Sequence, residues 1–483
     1  MWRRVASLSV LFVVAFPASA GAARIVTWQT SSSFVDPSKA ASGYNHPGAP
    51  ARPNALRVNV YLPDGYDARS TRRYPVLFLL HGVGDAYDSW ALPRQGEIMD
   101  VARGFDGIIV MPEADRGFYT NWWNGGRRGD PGWERYHLDE LIPLVERRLP
   151  IRAGRRWRAI YGFSMGGMGA MFYGSQRPDY FGSAGSSQGV LSLQRPEFQA
   201  EPAFQAFIEQ DRDAIFGDPQ AQEFYWAGHN PARLVANLAH TRLYVAAGDG
   251  IPAAGENPGP GQVAEVEVRF QSEEFVAAVR QAGQTVTFRP QQGTHAWPSR
   301  RRHLTDAIRD WGLFKPVVEA PASWTYATVA QRGRAWGFEF VFAAPPNEVE
   351  RFSLAGNVIR GDGSGVVRMR TPQGCRFTAT LPFERTVPTA CDARSPGAVD
   401  PGAERPQEVS APPGSSGSVN RETRSSAGSP GEPDDAGDGG TLPFTGLGLG
   451  LVLMAGAGLL VSGLALRSLR RADSPAGRRR KAG

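Results

Sequence analysis

The stretch Gly162-Phe163-Ser164-Met165-Gly166-Gly167 carries the pattern G-x-S-x-G. A serine set between small residues at a sharp strand-to-helix turn presents its hydroxyl for attack on a carbonyl carbon. The apolar-alternating stretch Trp157 to Tyr161 before it reads as a buried strand, and Gly166, Gly167, Gly169, Ala170 and Gly174 after it allow a helix to pack closely on a sheet. A hydroxyl is a poor nucleophile at neutral pH, so Ser164 needs a histidine base and a carboxylate to orient that base. Of seven histidines, His229, His240, His295 and His303 follow the serine. His295 stands in Gly293-Thr294-His295-Ala296-Trp297, a loop after an expected strand, where a ring projects over a sheet end. His303 falls in the next helix and reads as a packing or surface residue. Asp249, in Gly248-Asp249-Gly250, is a candidate acid or a turn-former. Glu273 and Glu274, on an expected helix, compete with it. The developing oxyanion requires two backbone N–H groups, expected from Met165 and from Val83 in His81-Gly82-Val83-Gly84. His81 is expected to shape that loop.

The elements that must hold these residues follow from hydropathy patterning. Leu56 to Leu62 alternates as a half-buried strand and ends at the turn Pro63-Asp64-Gly65; Arg24 to Thr30 is an expected edge strand. Val76 to Leu80 and Gly107 to Met111 are unbroken apolar runs, as in strands covered on both faces. Leu138, Leu141, Ile142, Val145 and Leu149 recur at helical spacing despite Pro143, and Val263 to Arg280 is a second helix closed by Gly283. Thr241 to Ala247 and Thr285 to Arg289 are strands. Strands alternating with helices predict a mostly parallel α/β sheet, with Leu191 to Asn237 inserted over its top.

The two ends have other roles. Residues 1–20 combine Arg3 and Arg4, an apolar run and the small residues Ala18-Ser19-Ala20, the pattern of a secretory signal peptide. Leu442-Pro443-Phe444-Thr445-Gly446 precedes an uncharged apolar run over 447–466, long enough to span a bilayer, and a basic tail over 467–483. This resembles an LPxTG sorting signal, which implies cleavage by a sortase between Thr445 and Gly446 and attachment to the cell wall, with the membrane holding the chain beforehand. The formal charge of +6 belongs largely to these ends; without Arg3, Arg4 and the residues after Gly446, about −2 remains. A nucleic-acid partner therefore gains no support from the high isoelectric point.

Between the ends, 24–316 reads as the catalytic domain. A small β-rich domain follows over 324–392, then a Pro-, Gly- and Ser-rich stalk over 393–440, too polar to fold alone. The two cysteines, Cys375 and Cys391, are expected to form one disulfide in an exported chain. No neighbouring histidine completes a metal site, and neither metal nor cofactor is expected.

From about Leu56 to Trp311 the sequence resembles the antigen 85 mycolyltransferases and the wider esterase D-like α/β-hydrolases. The matching stretches are Phe118-Tyr119-Thr120-Asn121-Trp122, Gly162 to Gly167, Pro231 to Asn237, Thr241 to Pro252 and Gly293 to Trp297. The resemblance implies an α/β-hydrolase fold, the chain order serine, acid, histidine, and an acid in an E-x-F element. That element nominates Glu273 in Glu273-Glu274-Phe275. This chain departs from the antigen 85 pattern at Asp249, where those enzymes carry Asn, and at His81, where they carry Asp. The implied activity is esterase or acyltransferase chemistry, with an acyl-ester donor and an alcohol or water as acceptor. A surface adhesin on a hydrolase scaffold is the alternative, and a serine peptidase a weaker one.

Overall fold

The computed structural model describes residues 21–35, 56–125, 132–200 and 212–391. Eight strands form one sheet: β1 (Arg24–Thr30), β2 (Leu56–Leu62), β3 (Val76–Leu80), β4 (Ile108–Pro112), β5 (Arg158–Phe163), β6 (Ser183–Ser187), β7 (Arg242–Ala247) and β8 (Val286–Pro290). Their order is β1-β2-β4-β3-β5-β6-β7-β8. The six strands from β4 to β8 run parallel, and β1 and β2 join antiparallel at one edge. The unbroken apolar runs have the expected cause, because both faces are covered. Phe78, Val110 and Ile160 pack on one side with Met168, Phe172 and Phe275. Leu77, Ile109 and Tyr161 pack on the other with Trp90, Leu304 and Trp311.

Four helices matter for the site. The expected crossover helix passes from a π-helical stretch (Tyr136–Leu141) into α1 (Ile142–Arg148), with Pro143 in the first turn of α1. Helix α2 (Met165–Gln176) is buried along its whole length against β5 and β6. Helix α3 (Gly261–Gln281) ends just before Gly283, whose φ of 72° suits a residue without a Cβ. Helix α4 is Trp297–Asp306.

Beyond the main sheet, β9 (Ser323–Thr328), β10 (Arg332–Ala335), β11 (Phe338–Phe342), β12 (Glu350–Ala355), β13 (Val358–Asp362), β14 (Val366–Arg370), β15 (Arg376–Thr380) and β16 (Phe383–Thr386) make two four-stranded antiparallel sheets. Their orders are β10-β11-β14-β15 and β16-β13-β12-β9. Alternate residues, among them Phe338, Phe340, Phe342, Phe352, Ile359, Val367 and Met369, meet between the sheets in a separate core. Cys375 and Cys391 are disulfide-bonded. This unit docks on the larger one through polar contacts: Asn237 and Ala327 exchange hydrogen bonds of 2.9 and 2.8 Å, and the Tyr326 hydroxyl donates to the Gln176 carbonyl at 3.2 Å. The buried Arg155 guanidinium donates to the carbonyls of Pro178, Phe181, His240 and Val318 and to the Thr241 hydroxyl.

The expected signal peptide, stalk, Leu442–Gly446 motif, apolar span and basic tail lie outside the described residues. Among the described residues no helix is long and apolar enough to cross a membrane.

Candidate active site

The carboxyl ends of β3, β5, β6, β7 and β8 lie side by side in the parallel sheet, and the loops leaving them carry the residues singled out by sequence. Such ends are where open α/β sheets place their ligands. Ser164 follows β5 with φ 54° and ψ −123°, a conformation rare for a residue with a side chain. The turn is held by neighbours on both sides. The Ser164 N–H donates to the Ser187 carbonyl at 3.0 Å, and the Val190 N–H donates to the Ser164 carbonyl at 3.3 Å. Glycine is required here: a Cβ on Gly162 would come within 2.2 Å of the Gly166 carbonyl oxygen, and one on Gly166 within 2.5 Å of the His81 carbonyl oxygen. Met165 opens α2, so its N–H has no intrahelical acceptor.

The loop after β3 is fixed by His81, which is buried. Its Nδ1–H donates to the Gly82 carbonyl at 2.9 Å, and its Nε2 accepts from the Ala114 N–H at 3.0 Å. The Tyr119 hydroxyl donates to the His81 carbonyl at 2.9 Å. Val83 is thus carried on a loop anchored at both ring nitrogens of its neighbour, beside the start of α2.

His295 is brought to the same place. The Gln188 side-chain amide, at the end of β6, donates to the Thr294 carbonyl at 2.7 Å, and the His295 N–H donates to the Gly261 carbonyl at 3.0 Å. Trp297 packs edge-on to Phe163, the residue before Ser164, with ring centroids 5.0 Å apart. The Arg300 guanidinium lies 3.9 Å from the Phe163 ring centroid and donates to the His295 carbonyl at 3.0 Å.

The carboxylate at His295 is that of Glu265. Its Oε2 accepts from the His295 Nδ1–H at 2.9 Å, and its Oε1 accepts from the Gly248 N–H. Glu265 is fully buried, while the His295 side chain is 13% exposed. Neither expected acid occupies this position. The Glu273 carboxylate pairs with Arg269 one turn back and is 44% exposed. Asp249 Oδ1 accepts from the Ile251 and Gly293 N–H groups at 2.9 and 3.2 Å and so shapes its loop. Glu274 pairs with Arg195. Helix phase explains the difference. Glu265, Val268, Ser272, Phe275, Val276 and Val279 form the buried stripe of α3, and Glu273 and Glu274 fall outside it. An acid in phase with an apolar stripe is a signal the sequence offered; the E-x-F match drew attention to the exposed side instead.

Burial pushes Glu265 well above the usual carboxylate range, opposed by the Gly248 N–H and the Arg300 charge. Burial also pulls His295 below the usual imidazole value, helped by the Arg300 charge. A neutral His295 that donates from Nδ1 keeps a lone pair on Nε2, the state a general base requires. Glu256 braces the loop: it accepts from the N–H groups of Ala253 and Thr294 and from the Thr294 and Ser299 hydroxyls. Although burial raises its pKa, the bonds from Ser299, Ala253 and Thr294 prevail and hold it down to about 2. His303 is a packing residue, bonded through Nδ1 to the Ser187 hydroxyl at 2.8 Å. Among the described residues no group of three His, Cys, Asp or Glu is placed to hold a metal ion.

A family model for Esterase matches residues 51–311. Esterase Rv1288 of Mycobacterium tuberculosis is 31% identical over 237 residues, covering 47% of this chain and 49% of that one. This chain therefore spans about half of that relative's length. The diacylglycerol acyltransferase/mycolyltransferase Ag85A of Mycobacterium leprae is 26% identical over 257 residues, 49% of this chain and 74% of that one. Among solved structures, Mycobacterium tuberculosis MPT51 is 23% identical with a TM-score of 0.45, covering 54% of this chain and 94% of that one.

Proposed function

The chain belongs to the Esterase family, an ester-cleaving or acyl-transferring enzyme, and on that premise we propose that Ser164, His295 and Glu265 are its nucleophile, base and orienting acid. One observation carries the reading: the buried pair between His295 Nδ1 and Glu265 of α3, with the His295 loop bonded to Gln188 at the end of β6, the strand beside the one that leads into the strained Ser164. Ser164 Oγ attacks the ester carbonyl carbon while His295 Nε2 takes its proton. Glu265 stabilises the imidazolium so formed, and the N–H groups of Met165 and Val83 receive the oxyanion. The tetrahedral adduct collapses, His295 returns the proton to the leaving alcohol, and an acyl-serine remains. A second alcohol or water, deprotonated by His295, then releases the acyl group as a new ester or an acid.

The signal-like start and the Leu442–Gly446 motif support an exported chain fixed by a sortase at the outer surface. Incubating the protein with p-nitrophenyl esters of rising chain length, with and without trehalose or glycerol, tests the reaction. Release of nitrophenol with formation of acid or of a new ester is expected. No turnover of any ester would overturn the reading.

A further inference from the structure

The two small sheets differ sharply in the charge of their outer faces. On the sheet β10-β11-β14-β15, cross-strand register sets Arg334, Glu339, Arg370 and Arg376 in one row, with Arg332, Val341, Arg368 and Thr378 in the next. All five arginines are exposed, on the side opposite the core residues Phe338, Phe340, Val367 and Met369. Only one acid shares the face, and it is spent on Arg370 at 3.4 Å. Among the described residues Arg332, Arg334, Arg368 and Arg376 have no ion-pair partner. Arg370 and Arg376 stand directly opposite each other, a like-charge pairing that is unfavourable in a sheet.

The outer face of the other sheet is balanced. There Arg360 pairs with Glu384 at 2.8 Å and Arg351 lies opposite Asp362. A surface built only for solubility mixes signs in this way.

The basic face continues at its β10 edge into a cleft of about 560 Å³, where Arg332 and Arg334 face α1 together with Arg135, Arg177 and Tyr180. Two of the three acids of that cleft are ion-paired, Asp139 with Arg135 and Glu146 with Arg158, while Glu140 accepts from Ser33 and keeps its charge.

We infer that this face binds a linear anionic polymer, a glycan or polyol chain bearing phosphate or carboxylate groups, and so tethers the catalytic unit to it. A lipid surface fits less well, because interfacial binding needs inserted large apolar side chains, and Val366 is the only exposed large hydrophobic residue on the face. Single-stranded nucleic acid fits less well because the face offers no exposed aromatic ring for base stacking. The inference does not depend on the proposed reaction.

Four unpaired cations that displace condensed counterions from a flexible polyanion give a log–log salt slope of about −3, a roughly 50-fold loss of affinity between 50 and 200 mM salt. The test measures binding of the purified chain to poly(glycerol phosphate) and to polygalacturonate. Neutral dextran, phosphatidylglycerol vesicles and single-stranded DNA are the comparison probes. Binding to either anionic polymer with that slope is expected, weakened at least tenfold in R368E/R376E and unchanged in R351E on the balanced sheet. Circular dichroism and an unchanged urea midpoint show that each variant is folded. Absence of binding to both polymers, binding unaffected by R368E/R376E, equal binding to dextran, or stronger binding to vesicles or DNA would overturn the inference.

Discussion

Replacing Glu265 by Gln keeps the size of the side chain and removes its charge. In the reaction His295 becomes an imidazolium 2.9 Å from Glu265 Oε2, with the carboxylate wholly buried and the ring 13% exposed. At an effective dielectric of about 20, opposite charges at that separation attract by about 6 kcal/mol, equivalent to roughly four decades of rate. The Gln amide oxygen can still accept from Nδ1–H, so we expect kcat for a p-nitrophenyl ester to fall by about 10³ to 10⁴, with KM changed little. That range agrees with the loss of about 10⁴ when a triad carboxylate is neutralised elsewhere. Glu273→Gln removes only a surface i,i+4 ion pair and should leave kcat within about twofold. Steady-state kinetics of the two variants, with folding checked by circular dichroism, decides the matter. More than a tenth of wild-type kcat in E265Q, or a hundredfold loss in E273Q, would refute the assignment.

Other expectations follow from the same geometry. Because burial lowers the His295 pKa below its ordinary value of about 6.5, the base stays unprotonated in mild acid. The acid limb of kcat/KM is then set by Glu265, which the reaction needs ionised and which burial raises: its midpoint should lie above the ordinary carboxylate value of 4.5, and a midpoint at or below that value would contradict this. Gly166→Ala would drive a Cβ into the His81 and Leu80 carbonyls, at 2.5 and 2.7 Å. It should cost about 1–3 kcal/mol in urea unfolding and lower kcat as well. Arg155→Met strands the buried carbonyls of Pro178 and Phe181 and the half-buried acceptors at His240 and Val318, and removes the guanidinium stacked on Trp336 of the small unit. A loss of roughly 3–5 kcal/mol is expected; a urea midpoint near wild type would show that those bonds contribute little.

Much of the site was legible because its residues advertise themselves locally. Ser164 sits between glycines that only a tight turn needs, and His295 follows a strand on a short loop. Val76 to Leu80 reads as a buried strand from five consecutive apolar residues. Glu265 was hidden for a physical reason. Its pairing with His295 depends on the rotation of α3 against the sheet, and a carboxylate on a helix looks solvated until its buried neighbours are counted around the axis. Asp249 misled in the opposite way, since the β7 loop needs an acceptor for the Ile251 and Gly293 N–H groups as much as a triad needs an acid. The pairing of rows on the basic sheet was equally invisible, because register, not sequence spacing, brings Arg370 beside Arg376.

The central claim is that Ser164 becomes acylated. Intact-mass measurement after rapid mixing with a p-nitrophenyl ester, and after treatment with a fluorophosphonate, tests this directly. The wild-type chain should gain the mass of one acyl group or one phosphonyl group, mapped to the peptide containing Ser164, and Ser164→Ala should gain neither. An adduct of equal yield in Ser164→Ala, or one mapped to another residue, would contradict the account.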